Sequence, residues 1–255
     1  MSTTQRNILL SFLLSFPLTW WGFALAWLNP SLGWEASNFP LGPLIAAPIV
    51  IWLTTGREGL MRWLKRLANF RAPIWVYTVS FFVPLGLAVL CTIFAIASGA
   101  KIGVVSTFSF ADLLLFTGIM LIAGPLPEEV TFRGHGQHEL QEEVSPFIAS
   151  LWIGLGVLVW HLPLLLWGEL PWQIAIAIIA VSVVYAWLYV QGSSVWPLVI
   201  LHFVVNFFGA GFFQEMLQPE SRIYYATFLM IFYVAWAGLL YWWHGPQLGR
   251  KTSEA

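Results

Sequence analysis

The chain has 255 residues, of which 59% are hydrophobic and only 9% charged, with a formal net charge of −1 and a mean hydropathy of +0.78. An average soluble domain is about a quarter charged, so this balance excludes an ordinary soluble enzyme, and the near-neutral charge supplies no basic field for a nucleic-acid partner. A single cysteine, Cys91, excludes a disulfide scaffold. The composition predicts an all-α, polytopic helical membrane protein, and the 16 Trp residues suit the membrane–water boundary that indole favours.

Apolar runs long enough to cross a bilayer predict about eight spans, at 7–28, 39–55, 74–97, 109–126, 147–167, 172–190, 195–214 and 223–243. The first has Arg6 ahead and Ala24-Leu25-Ala26 behind, like a signal peptide, but its apolar stretch is too long for one, so an uncleaved helix is expected. After the second span, 57–71 is short, basic and amphipathic, with Leu60, Met61, Trp63, Leu64 and Leu67 as apolar members. Such a segment is expected to lie on anionic lipid at the interface. Cys91, in the third run, reads as a small buried hydrophobe. Asp112, near the outer end of the fourth, reads as a helix cap.

Basic residues set the orientation. With the N-terminus inside, Arg6, Arg57, Arg62, Lys65, Arg66, Arg71, Arg133, Arg250 and Lys251 fall inside, and Lys101 and Arg222 outside. This positive-inside asymmetry predicts both termini in the cytoplasm of a bacterial-type plasma membrane. Residues 1–108 are then expected to form N-terminal helices with the basic interfacial segment, 109–214 a central helical core, and 215–255 the last helix and a cytoplasmic tail.

Ionisable groups inside spans rarely lack a use, and three clusters stand out. In Gly124-Pro125-Leu126-Pro127-Glu128-Glu129-Val130-Thr131-Phe132-Arg133-Gly134, the prolines break the fourth span and Pro127 suits the first turn of a new helix. Glu128 and Glu129 are expected in that turn, where the helix dipole favours negative charge. Glu129 and Arg133 are four apart with the acid first, the favourable order for an ion pair; Glu128 has no such partner and stays free. His161, in Trp160-His161-Leu162-Pro163, lies in an apolar run and must be neutral or partnered. His202 and Asn206 share one helix face. Glu128, His161, His202 and Asn206 supply a base, a second proton-handling group and two oxyanion donors, which is a hydrolase constellation. With Glu128 near the inner face, the cavity is expected to open to the cytoplasm. His135, His138, Glu139, Glu142 and Glu143 read as solvated groups of the cytoplasmic connection, and His244 as an interfacial residue. His138-Glu139-Leu140-Gln141-Glu142 lacks the second histidine of a zinc-protease motif.

These residues resemble the CPBP family of intramembrane proteases, which comprises type II CAAX prenyl endopeptidases, bacteriocin-processing and immunity proteins, and abortive-infection proteins. The family pattern is E-E-x-x-x-R, then F-x-x-x-H, then H-x-x-x-N. Here Glu128-Glu129…Arg133 and His202…Asn206 are complete, while Val157 stands where Phe usually precedes His161. The resemblance implies a CAAX-protease-like core and glutamate-dependent hydrolysis of a peptide bond. It implies that Glu128 and His161 activate water, that His202 and Asn206 hold the oxyanion, and that Glu129 and Arg133 support them. The family is often labelled metalloprotease, which would make Glu128, His161 and His202 zinc ligands. Three N/O ligands plus water fit catalytic zinc, yet the same groups work as base and oxyanion hole without metal. No cofactor is required by this reading, and zinc is the alternative. The expected partners are the lipid bilayer and a membrane-associated peptide or protein, with no nucleic acid. A proton- or cation-coupled transporter is the competing class, though no second broken helix supplies a matching half; an inactive scaffold of the same fold is a third.

Overall fold

The computed structural model describes residues 1–32, 41–103 and 109–250. It is helical, with no strand among the described residues. Helix α1 (Thr3–Leu28) opens on a capping box in which Ser2 Oγ accepts from the Gln5 amide and Gln5 Oε1 accepts from the Ser2 amide, both at 3.1 Å. Helix α2 (Gly42–Leu67) packs along α1 and bends at Gly56, whose φ of 66° and ψ of −169° suit only glycine. Helix α3 is Ile74–Ala97, and α4 (Phe110–Ile122) begins with Ser109 and Asp112 in a second capping box, as expected of Asp112.

Helix α5 (Pro125–Thr131) follows, then a π-helical turn, Phe132–Gln137, and the short α6 (His138–Leu140). Helix α7 (Pro146–Trp160) is capped by Ser145, and α8 (Leu162–Trp167) follows it. Helix α9 (Trp172–Gly192) runs through the middle of the bundle against α7 and α11. Helix α10 (Trp196–Val204) continues as a π-helical run, Val205–Gln214, and α11 (Arg222–His244) closes the bundle.

Among the described residues seven helical runs are long and apolar enough to cross a membrane, with α7 a shorter apolar helix beside them. Four packed centres hold them, two of them large. One joins α3, α9, α10 and α11 through Val76, Cys91, Leu188, Leu201, Tyr225 and Tyr233. The other joins α1 and α7 to the π-helical turn through Ile8, Phe12, Phe132, Ile153 and Trp160, with the Phe12 and Phe132 rings stacked at 5.0 Å. Leu13, Trp27, Leu53, Phe82, Leu115 and Trp152 point outward; a bilayer, unlike water, accepts such a surface without cost.

Three boundaries differ from expectation. The fourth span does not end near 126. Helix α4 has 13 residues, about 20 Å at 1.5 Å per residue, which is short of a ~30 Å hydrocarbon core. The helical run to Leu140 extends the candidate crossing to Phe110–Leu140, and Glu128 lies near the middle of that run rather than at its end. The fifth span breaks at His161, because Pro163 lacks the N–H that would continue the ladder. The carbonyl of Trp160, left free there, accepts from Trp20 Nε1 at 3.0 Å. Finally, the basic segment forms a helical stretch of its own beyond the non-helical Gly56, as expected, but it ends at Leu67 rather than at 71. Trp63 packs with Ala47 and Ile51, and Leu60 and Leu67 lie against them, so the protein takes that apolar face; only Met61 and Leu64 remain exposed.

Candidate active site

The break at Gly124 lets α5 start at Pro125, two residues before the expected Pro127. Only Glu128 then lies in the first helical turn; Glu129 sits in the next, and the two carboxylates point to different neighbours, as residues about 100° apart on a helix must.

Glu129 is 0% and Arg133 3% exposed, with Arg133 Nε 3.4 Å from Glu129 Oε2. The guanidinium also donates to Ser182 Oγ at 3.1 Å and lies 4.4 Å over the Tyr185 ring. Both come from α9, and sequence reading missed both; a hydroxyl within an apolar helix was the available signal. Glu129 has a second task that no spacing rule foresaw: its Oε1 accepts from His202 Nδ1 at 2.8 Å. One carboxylate thus ties α5 to α10.

His161 Nδ1 lies 2.9 Å from the Val157 carbonyl. A carbonyl only accepts, so Nδ1 carries the proton and Nε2 of the neutral ring is a lone-pair acceptor. Glu128 has no side-chain hydrogen bond and no ion pair among the described residues.

Gly124 marks where these groups meet. A Cβ placed there would lie 3.3 Å from Asn206 Nδ2, 3.4 Å from Glu128 Oε1 and 4.0 Å from His202 Nε2. Three polar groups from α5, α10 and the π-helical run therefore surround one point that only glycine leaves empty. His161 joins them in lining a cavity of about 180 Å³ with Glu128, Glu129, Tyr185, His202 and Asn206. A π-helical widening follows both Glu129 and His202, a distortion frequent at functional sites. Among the described residues no three His, Cys, Asp or Glu side chains are grouped to hold a metal ion.

The direction of the cavity departs from expectation. Its wall on α9 runs from Ile174 to Tyr185 and reaches Leu170, Pro171 and Gln214. The other end of α9 is tied to the basic end of the bundle, where Ser194 Oγ donates to the Asn69 carbonyl and Trp196 Nε1 to the Leu67 carbonyl. The cavity thus occupies the half opposite Arg62 and Arg66, not the half that the basic residues mark as cytoplasmic. The reason is length: His161 is reached only after the 15 residues of α7, which starts at the basic end.

Of the groups expected to be solvated, His135 is instead buried, and His138 Nδ1 lies 3.0 Å from Tyr189 Oη. The bend of α2 brings Arg66 within 2.6 Å of Glu139 and closes over this region.

Fold and site together define a polytopic helical membrane protein with a polar cluster of glutamate, histidine and asparagine inside the helical bundle. The family model described as type II CAAX prenyl endopeptidase Rce1-like matches residues 109–208, which hold the whole cluster. The chain is similar to CAAX prenyl protease 2 of Methanococcus maripaludis, 24% identical over 249 residues that cover 89% of this chain and 86% of the relative. Both matches are to proteins described as CAAX prenyl proteases.

Proposed function

We propose that the protein is a glutamate-dependent intramembrane endopeptidase that hydrolyses a peptide bond of a membrane-associated protein or peptide. The observation that carries this reading is the convergence of Glu128, His202 and Asn206 within 4.0 Å of one point at Gly124, in a cavity that His161 also lines.

In this reading Glu128, free of any partner, takes a proton from a water molecule. His161 Nε2 accepts the other water hydrogen and orients the oxygen toward the scissile carbonyl. The carbon–oxygen bond forms and the carbonyl oxygen gains charge. Asn206 Nδ2 donates to that oxyanion. His202 has Nδ1 committed to Glu129, so it donates from Nε2 in its doubly protonated form, with the Glu129 carboxylate as counter-ion. Collapse breaks the carbon–nitrogen bond, and the departing amine takes the proton held by Glu128. Arg133 fixes Glu129, and through it the ring of His202. No step in this reading is routed through a metal, because base and oxyanion donors suffice for the chemistry.

The excess of basic residues at one end supports both termini in the cytoplasm of a bacterial-type plasma membrane. The peptide then reaches the cavity through the half of the bundle lined by Leu170 and Pro171.

The test is Glu128→Gln in full-length protein reconstituted into liposomes with a membrane-anchored peptide. Because Glu128 has no partner to lose, the variant keeps its unfolding midpoint while turnover falls by about a thousandfold or more, the scale of removing a general base together with its water. Wild-type turnover in the variant overturns the assignment. Solute flux through wild-type liposomes without cleavage would favour the transporter instead.

A further inference from the structure

A second polar cavity, of about 220 Å³, lies between the first turns of α1 and the bent half of α2. Asn7, Arg62, Trp63, Arg66, His135 and Glu139 line it, and none of them belongs to the hydrolytic cluster. Its wall is full of unspent hydrogen-bonding capacity. His135 is 6% exposed, and neither ring nitrogen has a partner among the described residues. Trp63 Nε1, Arg66 Nε and Asn7 Oδ1 are likewise buried and unpaired. Buried polar atoms are nearly always paired in folded proteins, so several orphans on one cavity mark an absent partner.

The character of the orphans describes that partner. Indole Nε1–H and guanidinium Nε–H are obligate donors, and an imidazole carries at least one N–H in either tautomer. Three residues of the cavity wall, Trp63, Arg66 and His135, therefore carry buried donors that have no partner among the described residues. Charge points the same way. Glu139 is neutralised by Arg66 at 2.6 Å, and Arg62 meets only the exposed Glu58, at 3.9 Å. Among the lining residues Arg62, Arg66 and Glu139 one positive charge is left over, since Glu58 lies outside the wall. Donors and net positive charge call for an oxyanion, with the planar Arg forks suited to phosphate. The acceptor Asn7 Oδ1 asks for a hydroxyl on the same ligand. At ~30 Å³ per water, the volume holds a phosphate with a few further heavy atoms, but no acyl chain.

We propose that this cavity binds an anionic phosphate group bearing a hydroxylated substituent, supplied either as a free phosphate ester or as the head of a membrane lipid. The bend at Gly56 is what builds the site, since it turns Trp63 and Arg66 toward α1 and His135.

The experiment uses purified full-length protein and follows its unfolding midpoint. In neutral detergent, inorganic phosphate and glycerol 3-phosphate are titrated against chloride at matched ionic strength. In nanodiscs without added phosphate, phosphatidylglycerol is compared with phosphatidylcholine. A saturable upward shift with the soluble probes identifies a free phosphate ester; a shift with phosphatidylglycerol alone identifies a lipid head. Trp63→Phe keeps an aromatic ring and removes the donor, and His135→Phe removes both ring nitrogens. Each weakens the apparent affinity about tenfold or more, the loss that goes with one charge-assisted hydrogen bond. Arg62→Gln changes an exposed side chain that carries little folding energy, and it weakens binding even if the buried variants fail to fold. No response to either probe class, or the same response in wild type and all three variants, overturns the proposal and leaves a merely hydrated void.

Discussion

Glu129 bears on both stability and chemistry, and the two can be separated by a pair of variants. Glu129→Leu removes a fully buried carboxylate and leaves the Arg133 guanidinium, itself 3% exposed, without its counter-ion. Ser182 and Tyr185 still touch the guanidinium, but neither neutralises it. Removing one partner of a buried pair costs about 3–5 kcal/mol, because the remaining charge is stranded. In Glu129→Leu/Arg133→Met both charges are gone and the volume is nearly kept, a replacement that is often neutral. What remains lost is the hydrogen bond from His202 Nδ1 at 2.8 Å, about 1.5–3 kcal/mol for a bond to a charged group. The double variant is therefore expected to be more stable than the single one. Equilibrium unfolding in detergent measures both, and turnover supplies the second readout: the double variant stays inactive, because nothing holds the ring of His202. A double variant no more stable than Glu129→Leu would refute the reasoning, since it would show that Ser182 and Tyr185 alone satisfy the guanidinium.

Gly124→Ala places a methyl group within 4.0 Å of Glu128, His202 and Asn206. The φ there is −162°, outside the left-handed region that favours glycine, so the change is expected to act on the site: kcat falls at least about a hundredfold, the worth of one lost oxyanion contact, and an unchanged kcat would separate that point from the reaction. Gly56→Ala forces a side chain onto φ 66° and costs about 1–3 kcal/mol; limited proteolysis is expected to cut faster around 56–67 than in wild type. The Glu143 carboxyl is held below the usual carboxylate range by the hydroxyl of Ser2, and then by Thr4. Its folded-state value is depressed, so the tie from Ser2 Oγ at 2.6 Å contributes fully above the ordinary carboxylate range and is lost only as pH falls through the lowered value. Hydrogen exchange of the first turn of α1 should therefore accelerate in acid in wild type, and be fast and nearly pH-independent beyond intrinsic exchange in Glu143→Gln.

Much of the architecture was legible because a bilayer leaves the chain few choices. Backbone groups in hydrocarbon must pair within a helix, so each long apolar run announced its element. The pairing of Glu129 with Arg133 followed from helical spacing alone. The boundaries that went astray share one cause: prolines and glycines break helices locally, and only packing tells whether the crossing ends there. At Gly124 it does not, and α5 to α6 carry the chain onward to Leu140. At Gly56 the helix stops and a second one starts, as expected, but Trp63 of the second finds a protein partner in Ile51 where lipid was expected. The burial of His135 was hidden for the same reason, since its cover comes from α1 and α2, far away in sequence.

Composition and pattern by themselves determined a helical membrane bundle, its approximate spans, the basic end, and a short list of polar residues too costly to bury idly. Tertiary structure decided which of those residues meet. It gave Glu129 a second partner in His202, brought Asn206 and Glu128 to the empty space beside Gly124, and turned the cavity away from the basic end. Helix periodicity reaches only a turn or two along one element, whereas a site assembled from four helical elements depends on how those elements cross, and that is set by packing between residues far apart in the chain.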